Sequence, residues 1–226
     1  DGQTLTAEIL VSAVGQLNRP SLPDIAGLES FSGPVWHSAR WNHDCDLAGK
    51  TVAVIGNGAS AIQFVPTVAA ESARLLMFQR TASWIHPLHN YRYPGWVRWM
   101  FRNLPGIAKL HRLWIYLMCD LRVFAFRRDS KLNLEYSRWL RSRMRKKIPP
   151  DQWSKLIPDY APGCKRVLLS SDYLQTLSLG SVDVITDPIE SFDQHGIQTR
   201  QGSHAVDIVI FATGFKANEF LQPMQI

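Results

Sequence analysis

A mixed α/β fold built on a doubly wound parallel sheet is what this 226-residue sequence predicts, and three observations predict it. Thr51-Val52-Ala53-Val54-Ile55 is a β-branched run that stops at a glycine pair, Gly56 and Gly58. The residues from there to about Ala70 read as a helix, and Leu75-Leu76-Met77-Phe78 is the next apolar run. Strand, helix and strand in that order form the opening unit of such a sheet. Composition agrees: 46% hydrophobic and 19% charged residues, with 14 Gly and 13 Pro scattered, exclude a disordered, collagenous or low-complexity chain. The length allows one to two domains with a real core. The longest apolar candidate, Leu113 to Cys119, is flanked by Arg112 and Asp120 and falls short of the roughly 18–20 residues of a membrane span.

In chain order, residues 7–15 (Ala-Glu-Ile-Leu-Val-Ser-Ala-Val-Gly) and 206–214 (Val-Asp-Ile-Val-Ile-Phe-Ala-Thr-Gly) share a pattern of acid, apolar run, Ala, any residue, Gly. Both are expected to be buried parallel strands that cross into a neighbouring domain and present apolar edges without it. Residues 16–49, rich in Pro, Gly, Ser and Trp, read as an ordered connecting loop. Pro94 and Pro105-Gly106 bracket a short helix. A longer helix then places Leu110, Leu113, Trp114, Leu117, Met118, Leu121 and Phe124 at spacings of three and four, a stripe expected to face the core. Tyr136, Leu140 and Met144 mark a third helix, closed by Ile148-Pro149-Pro150; Arg166 to Leu169 reads as extended, and Val182 to Thr199 as short strands and turns.

Charge is concentrated in that helical stretch. Residues 91–147 hold 15 Lys/Arg against 3 Asp/Glu, while the rest of the chain is mildly acidic. A basic, aromatic-rich insert can bind nucleic acid or an anionic membrane, or it can be a helical subdomain whose apolar stripe is buried and whose basic face is solvated. Because its aromatic residues fall mostly on the stripe, the second arrangement is expected, with no nucleic-acid partner. Cys45, Cys119 and Cys164 are odd in number and far apart, which argues against a disulfide framework or a metal site and fits a reducing cytoplasm.

The Gly56-x-Gly58-x-x-Ala61 turn lies where its mechanics require, directly after a strand and opening a helix. Gly56 permits the tight turn, Gly58 lets a pyrophosphate reach the backbone, and Ala61 lets helix pack on strand, as in a Rossmann-like dinucleotide site. Where an NAD-binding fold places a ribose-binding carboxylate at the end of the second strand, this sequence has Gln79-Arg80. A guanidinium there suits a 2′-phosphate, so the predicted cofactor is NADP(H).

Upstream stands Phe31-x-Gly33-x-x-x-His37-x-x-x-Trp41. This run resembles the fingerprint of Baeyer–Villiger monooxygenases, within the flavin-dependent monooxygenase superfamily. Trp41 favours that branch over the amine- and sulfur-oxidising relatives, which close the fingerprint with Tyr or Phe; Asn42 departs from its usual Pro or Asp. Phe78-Gln79-Arg80-Thr81, Gly163-Cys164-Lys165-Arg166-Val167-Leu168 and Phe211-Ala212-Thr213-Gly214-Phe215 resemble the same family in the same order, from about Ile9 to Phe215.

The resemblance implies FAD as a second cofactor and a small-molecule ketone and O2 as substrates. It makes His37 a domain-linking residue, Lys165 a helper of Arg80 at the 2′-phosphate, and Arg166 the catalytic arginine facing the reactive oxygen adduct. Without it, Lys165-Arg166 reads as a solvated pair. The candidate cofactor-binding residues are thus Gly56, Asn57, Gly58, Ala59, Ser60, Ala61 and Gln63 around the turn, with Arg80, Thr81, Lys165, Thr213 and Gly214. A single dinucleotide turn is present, so the chain is expected to be the NADPH-binding part of a larger enzyme whose FAD-binding segments flank it. The implied organisation is 1–48 as crossing strand, linker and fingerprint loop, 49–90 as the first part of the NADPH domain, and 91–150 as the basic helical insert. Residues 151–215 are its second part with the return strand, and 216–226 the start of a C-terminal FAD-domain segment. N- or S-oxygenation, and a noncatalytic NADPH-binding or basic interaction module, are the alternatives.

Overall fold

The computed structural model describes residue 4 and residues 6–88, 91–127 and 130–219. Its elements in chain order are β1 (Val35–His37), β2 (Thr51–Ile55), α1 (Ala61–Glu71), β3 (Arg74–Phe78), β4 (Ile85–His86), α2 (Gly95–Asn103), α3 (Ile107–Leu121), α4 (Lys131–Arg145), α5 (Trp153–Leu156), β5 (Leu168–Leu169), α6 (Tyr173–Thr176), β6 (Val182–Ile185), β7 (Ile189–Asp193), β8 (Gly196–Thr199), β9 (Gly202–Ala205) and β10 (Ile208–Phe211). Five strands form a parallel sheet in the order β1-β10-β2-β3-β6.

Strand periodicity divides the core in two. Val52 and Val54, Leu75 and Met77, and Ile208 and Ile210 point to one face, where α1, α4 and α6 contribute Ile62, Val65, Val68, Leu140, Met144 and Leu174. Ala53 and Ile55, Leu76 and Phe78, and Val209 and Phe211 point to the other, covered by the antiparallel meander β7-β8-β9 through Phe192 and Ile197. Because both faces are covered, the central strands are apolar throughout. One layer is a meander where a doubly wound fold would place helices.

Three sequence expectations are corrected here. Residues 7–15 form no strand among the described residues and are exposed, with Ile9 at 80% and Val11 at 80%. An isolated extended run has no ladder to satisfy its backbone, whatever its side chains favour. The segment 206–214 does contain a strand, but β10 lies inside the nucleotide-fold sheet between β1 and β2, so it has no free edge. The two chain passages meet later, where Ser21 N donates to Gly214 O (2.9 Å), Lys216 N donates to Arg19 O (2.9 Å) and Arg19 pairs with Glu219.

The third correction concerns the insert. α4 buries Asn133, Ser137, Leu140 and Met144, whereas α2 and α3 bury no residue, and the stripe from Leu110 to Phe124 faces outward. No described helix is long and apolar enough to cross a membrane. The expected FAD-domain segment at 216–226 lies outside the described residues from 220 onward, as do residues 89 and 90.

Candidate dinucleotide site

The parallel sheet gathers the carboxyl ends of β1, β2, β3 and β10 along one edge, where an open α/β sheet binds its ligand. That edge carries His37, Gly56, Gln79-Arg80 and Thr213-Gly214. Gly56 has φ +107, and a Cβ there would stand 2.5 Å from Ala212 O, so the turn after β2 is pressed against the chain leaving β10. Gly58 differs: nothing lies within 4 Å of the position its Cβ would take. That open space, at the N-terminal end of α1, fits a pyrophosphate reaching the backbone. Ser60 already has helical φ and ψ and makes no side-chain cap. Gln63 Nε2 donates to Ala59 O (2.8 Å), bracing the turn.

A side-chain network fixes the far wall. Asn57 Nδ2 donates to Gln79 Oε1 (2.8 Å) and to Thr81 O (2.8 Å). Gln79 is buried, and its Nε2 donates to Lys155 O (2.8 Å), while Lys155 Nζ donates to Val184 O (3.0 Å). Lys165, 84 residues beyond Thr81 in the chain, donates from Nζ to Thr81 Oγ1 (2.6 Å) and lies 5.0 Å from the centre of the Tyr160 ring. Burial raises the Tyr160 pKa, with Asp159 and Cys164 adding to it. The phenol stays protonated and donates to Ala82 O (2.8 Å). The turn, the end of β3 and the Lys165 loop are therefore one bonded unit.

Arg80 and Arg166 are both exposed, and neither forms an ion pair among the described residues. Arg166 has no described contact with the glycine turn; it is held at this edge by its place after Lys165 and before β5. Thr213 Oγ1 donates to Ser21 O, and Gly214 has φ +85. Sequence reading missed the side-chain role of Gln79. Its signal was available, since a glutamine closing an otherwise apolar strand must find buried partners.

In the fingerprint loop, Trp41 packs edge-on against Phe64 of α1 and Trp36, and His37 packs edge-on against Phe215. His37 is 4% exposed, and its Nδ1 accepts from Ala39 N (3.2 Å), which requires a neutral ring with the proton on Nε2. Burial lowers its pKa, and Arg40 lowers it further, against an opposing pull from the Gly214 backbone. The residue thus links β1 to the chain leaving β10 and is set up as a neutral packing group.

A model of the flavin-binding monooxygenase-like family matches residues 5–109. A Baeyer-Villiger monooxygenase of Streptomyces coelicolor is 41% identical over 218 residues, covering 96% of this chain and 42% of that protein. The FAD-binding monooxygenase ktnD of Aspergillus niger is 38% identical over 231 residues, covering 98% of this chain and 37% of its own length. Among solved structures, an oxidized steroid monooxygenase bound to NADP superposes with a TM-score of 0.78 at 26% identity, over 92% of this chain and 47% of that one. The OTEMO complex with FAD and NADP gives 0.74 at 27% identity, over 90% and 47%. The chain spans less than half the length of each of these relatives.

Proposed function

Because the chain belongs to the flavin-binding monooxygenases, on their Baeyer–Villiger branch, we propose that it is the NADPH-binding portion of an enzyme that inserts one oxygen atom of O2 into a ketone. The single observation carrying the cofactor assignment is the Lys165–Thr81 bond. It brings a second cation, distant in sequence, to the segment holding Arg80, beside a turn with room for a pyrophosphate. One pole of the site thereby accepts two phosphates and the other a third, the charge pattern of NADPH.

When bound, NADPH supplies a hydride to FAD, and the reduced flavin supplies electrons for activating O2. The chain's own contribution is positional and electrostatic. Gly56 and Gly58 shape the turn that cradles the pyrophosphate, and Arg80 with Lys165 holds the 2′-phosphate. Arg166 supplies a fixed positive charge at the reacting end, where anionic character must be stabilised for attack on a carbonyl. The described residues contain a single dinucleotide turn, so no residue here is assigned to the flavin phosphates.

Two measurements test the reading. Arg80→Ala is expected to weaken NADPH binding by about 1.5–3 kcal/mol, the range for a hydrogen bond to a charged group, and to leave NADH nearly unchanged. Equal losses for both cofactors would show that Arg80 supports the fold and not the 2′-phosphate. In the full-length enzyme, Arg166→Ala is expected to keep NADPH oxidation while ketone oxygenation gives way to hydrogen peroxide release. Undiminished ester or lactone formation would remove Arg166 from the mechanism.

A further inference from the structure

The outward stripe of α3 is the largest departure of this protein from an ordinary buried helix. Leu110, Leu113, Trp114, Leu117, Met118 and Leu121 share one face, and each is at least 39% exposed. Trp96 and Trp99 on α2 are exposed at 66% and 59%, and Val123 and Phe124 continue the surface just past α3. An apolar surface this large on a protein marks a contact with something else. It is also held in shape. Tyr93, Phe101, His111 and Trp114 form a chain of ring contacts between α2 and α3, and Tyr93 Oη hydrogen-bonds His111 Nε2 at 2.9 Å.

Charge identifies what the face would meet. From residue 91 to 127 the segment has seven Lys/Arg against a single acid, Asp120. Helical geometry sets Lys109, Arg112 and Tyr116 opposite the stripe on α3, and Arg98 and Arg102 opposite the Trp96 side of α2. Protein–protein contacts bury apolar cores but do not call for a face of one-signed charge behind an exposed, tryptophan-rich one. Helices that lie in a lipid headgroup layer combine all three features: an apolar face rich in Trp and Leu, a basic polar face, and a length too short to span. Nucleic-acid binding would put the aromatic rings among the charges, and here they lie mostly on the apolar side.

We propose that α2 and α3 form a docking face for an anionic lipid bilayer, lying flat in the headgroup region with Trp96, Trp99, Trp114 and the α3 leucines inserted. The base of this hairpin is tied to the reaction loop, since Asn133 Nδ2 donates both to Ala125 O (2.7 Å) and to Pro162 O (2.9 Å), three residues before Lys165. Docking would therefore set the Lys165-Arg166 loop at a fixed height above the membrane.

The test is co-sedimentation of the protein at its full encoded length, so that any further segment of the same polypeptide competes for the face first. Vesicles of phosphatidylcholine alone are compared with vesicles of phosphatidylcholine and phosphatidylglycerol. Binding to the anionic vesicles, with a blue shift of tryptophan emission, is expected, and weak binding to the neutral ones. Leu117→Glu should reduce binding by at least about tenfold, the fold-change of losing one inserted leucine, with unchanged circular dichroism and thermal midpoint because the residue is exposed. Arg98→Glu with Arg112→Glu should remove the preference for the anionic lipid. The proposal is overturned by absence of sedimentation, or by binding that Leu117→Glu does not change. It is equally overturned by a dimer that Leu117→Glu dissolves without vesicle binding, or by binding to RNA in preference to lipid.

Discussion

His37 shows how a single residue's surroundings set its chemistry. Its ring is buried, its Nδ1 is committed as an acceptor, and its pKa is lowered from 6.5. The unfolded chain therefore takes up a proton at a pH where the folded chain does not, and stability must fall as pH drops below about 6.5, levelling once the folded ring also protonates. Above that range the folded and unfolded rings are both neutral and the effect vanishes. Urea unfolding of the wild type and His37→Asn between about pH 8 and about pH 5 checks this, with a flatter pH dependence expected for the variant. Parallel curves would show that His37 is not the titrating group. Residue types and spacing made the turn, Arg80 and the fingerprint legible in the sequence. The Asn57–Gln79–Lys155 chain was not, because residue 155 reaches the site only through packing across the end of β3 and β6.

At the scale of elements, the two glycines of one motif are separable. Gly56 stands at φ +107 with the Ala212 backbone 2.5 Å from any added Cβ, and Gly58 has open space. Gly56→Ala is expected to destabilise the fold by about 2–4 kcal/mol, from backbone strain and a clash that cannot relax. Gly58→Ala is expected to leave the urea midpoint nearly unchanged and to weaken NADPH binding, because its methyl would enter the open space proposed for the pyrophosphate. A binding loss at Gly58 accompanied by an equal stability loss would contradict this division. Strands β2 and β3 and helix α1 were readable because their periods of two and about 3.6 are local signals. The three-residue β1 was not, being too short to show a period and fixed by its ladder to β10 and the packing of Trp36 and His37. For α3 the period was right and the buried face wrong, since amphipathicity reports that a face is apolar and not what it meets.

For the whole molecule, the decisive relation is between the single glycine-rich turn among the described residues and the two cofactors of the proposed chemistry. The turn at 56–61 is the single Gly-x-Gly-x-x-Ala turn of the 226 residues, and Arg80, with Lys165 bonded to the adjacent Thr81, is the pair proposed for a 2′-phosphate. An FAD pyrophosphate needs a helix N-terminus and close backbone of its own, and the described residues provide that glycine-rich arrangement once. A polypeptide of these 226 residues alone is therefore expected to bind NADPH and to purify without stoichiometric flavin. Without a water-excluding enclosure for a flavin, it is also expected to give no oxygenated product when NADPH, FAD and a ketone are added together. An absorption spectrum decides the first point. A one-to-one flavin band near about 450 nm would mean that α1 and its turn hold FAD. Arg80→Ala separates the assignments further, because loss of that guanidinium should lower NADPH affinity and leave any residual flavin binding unchanged, FAD having no 2′-phosphate.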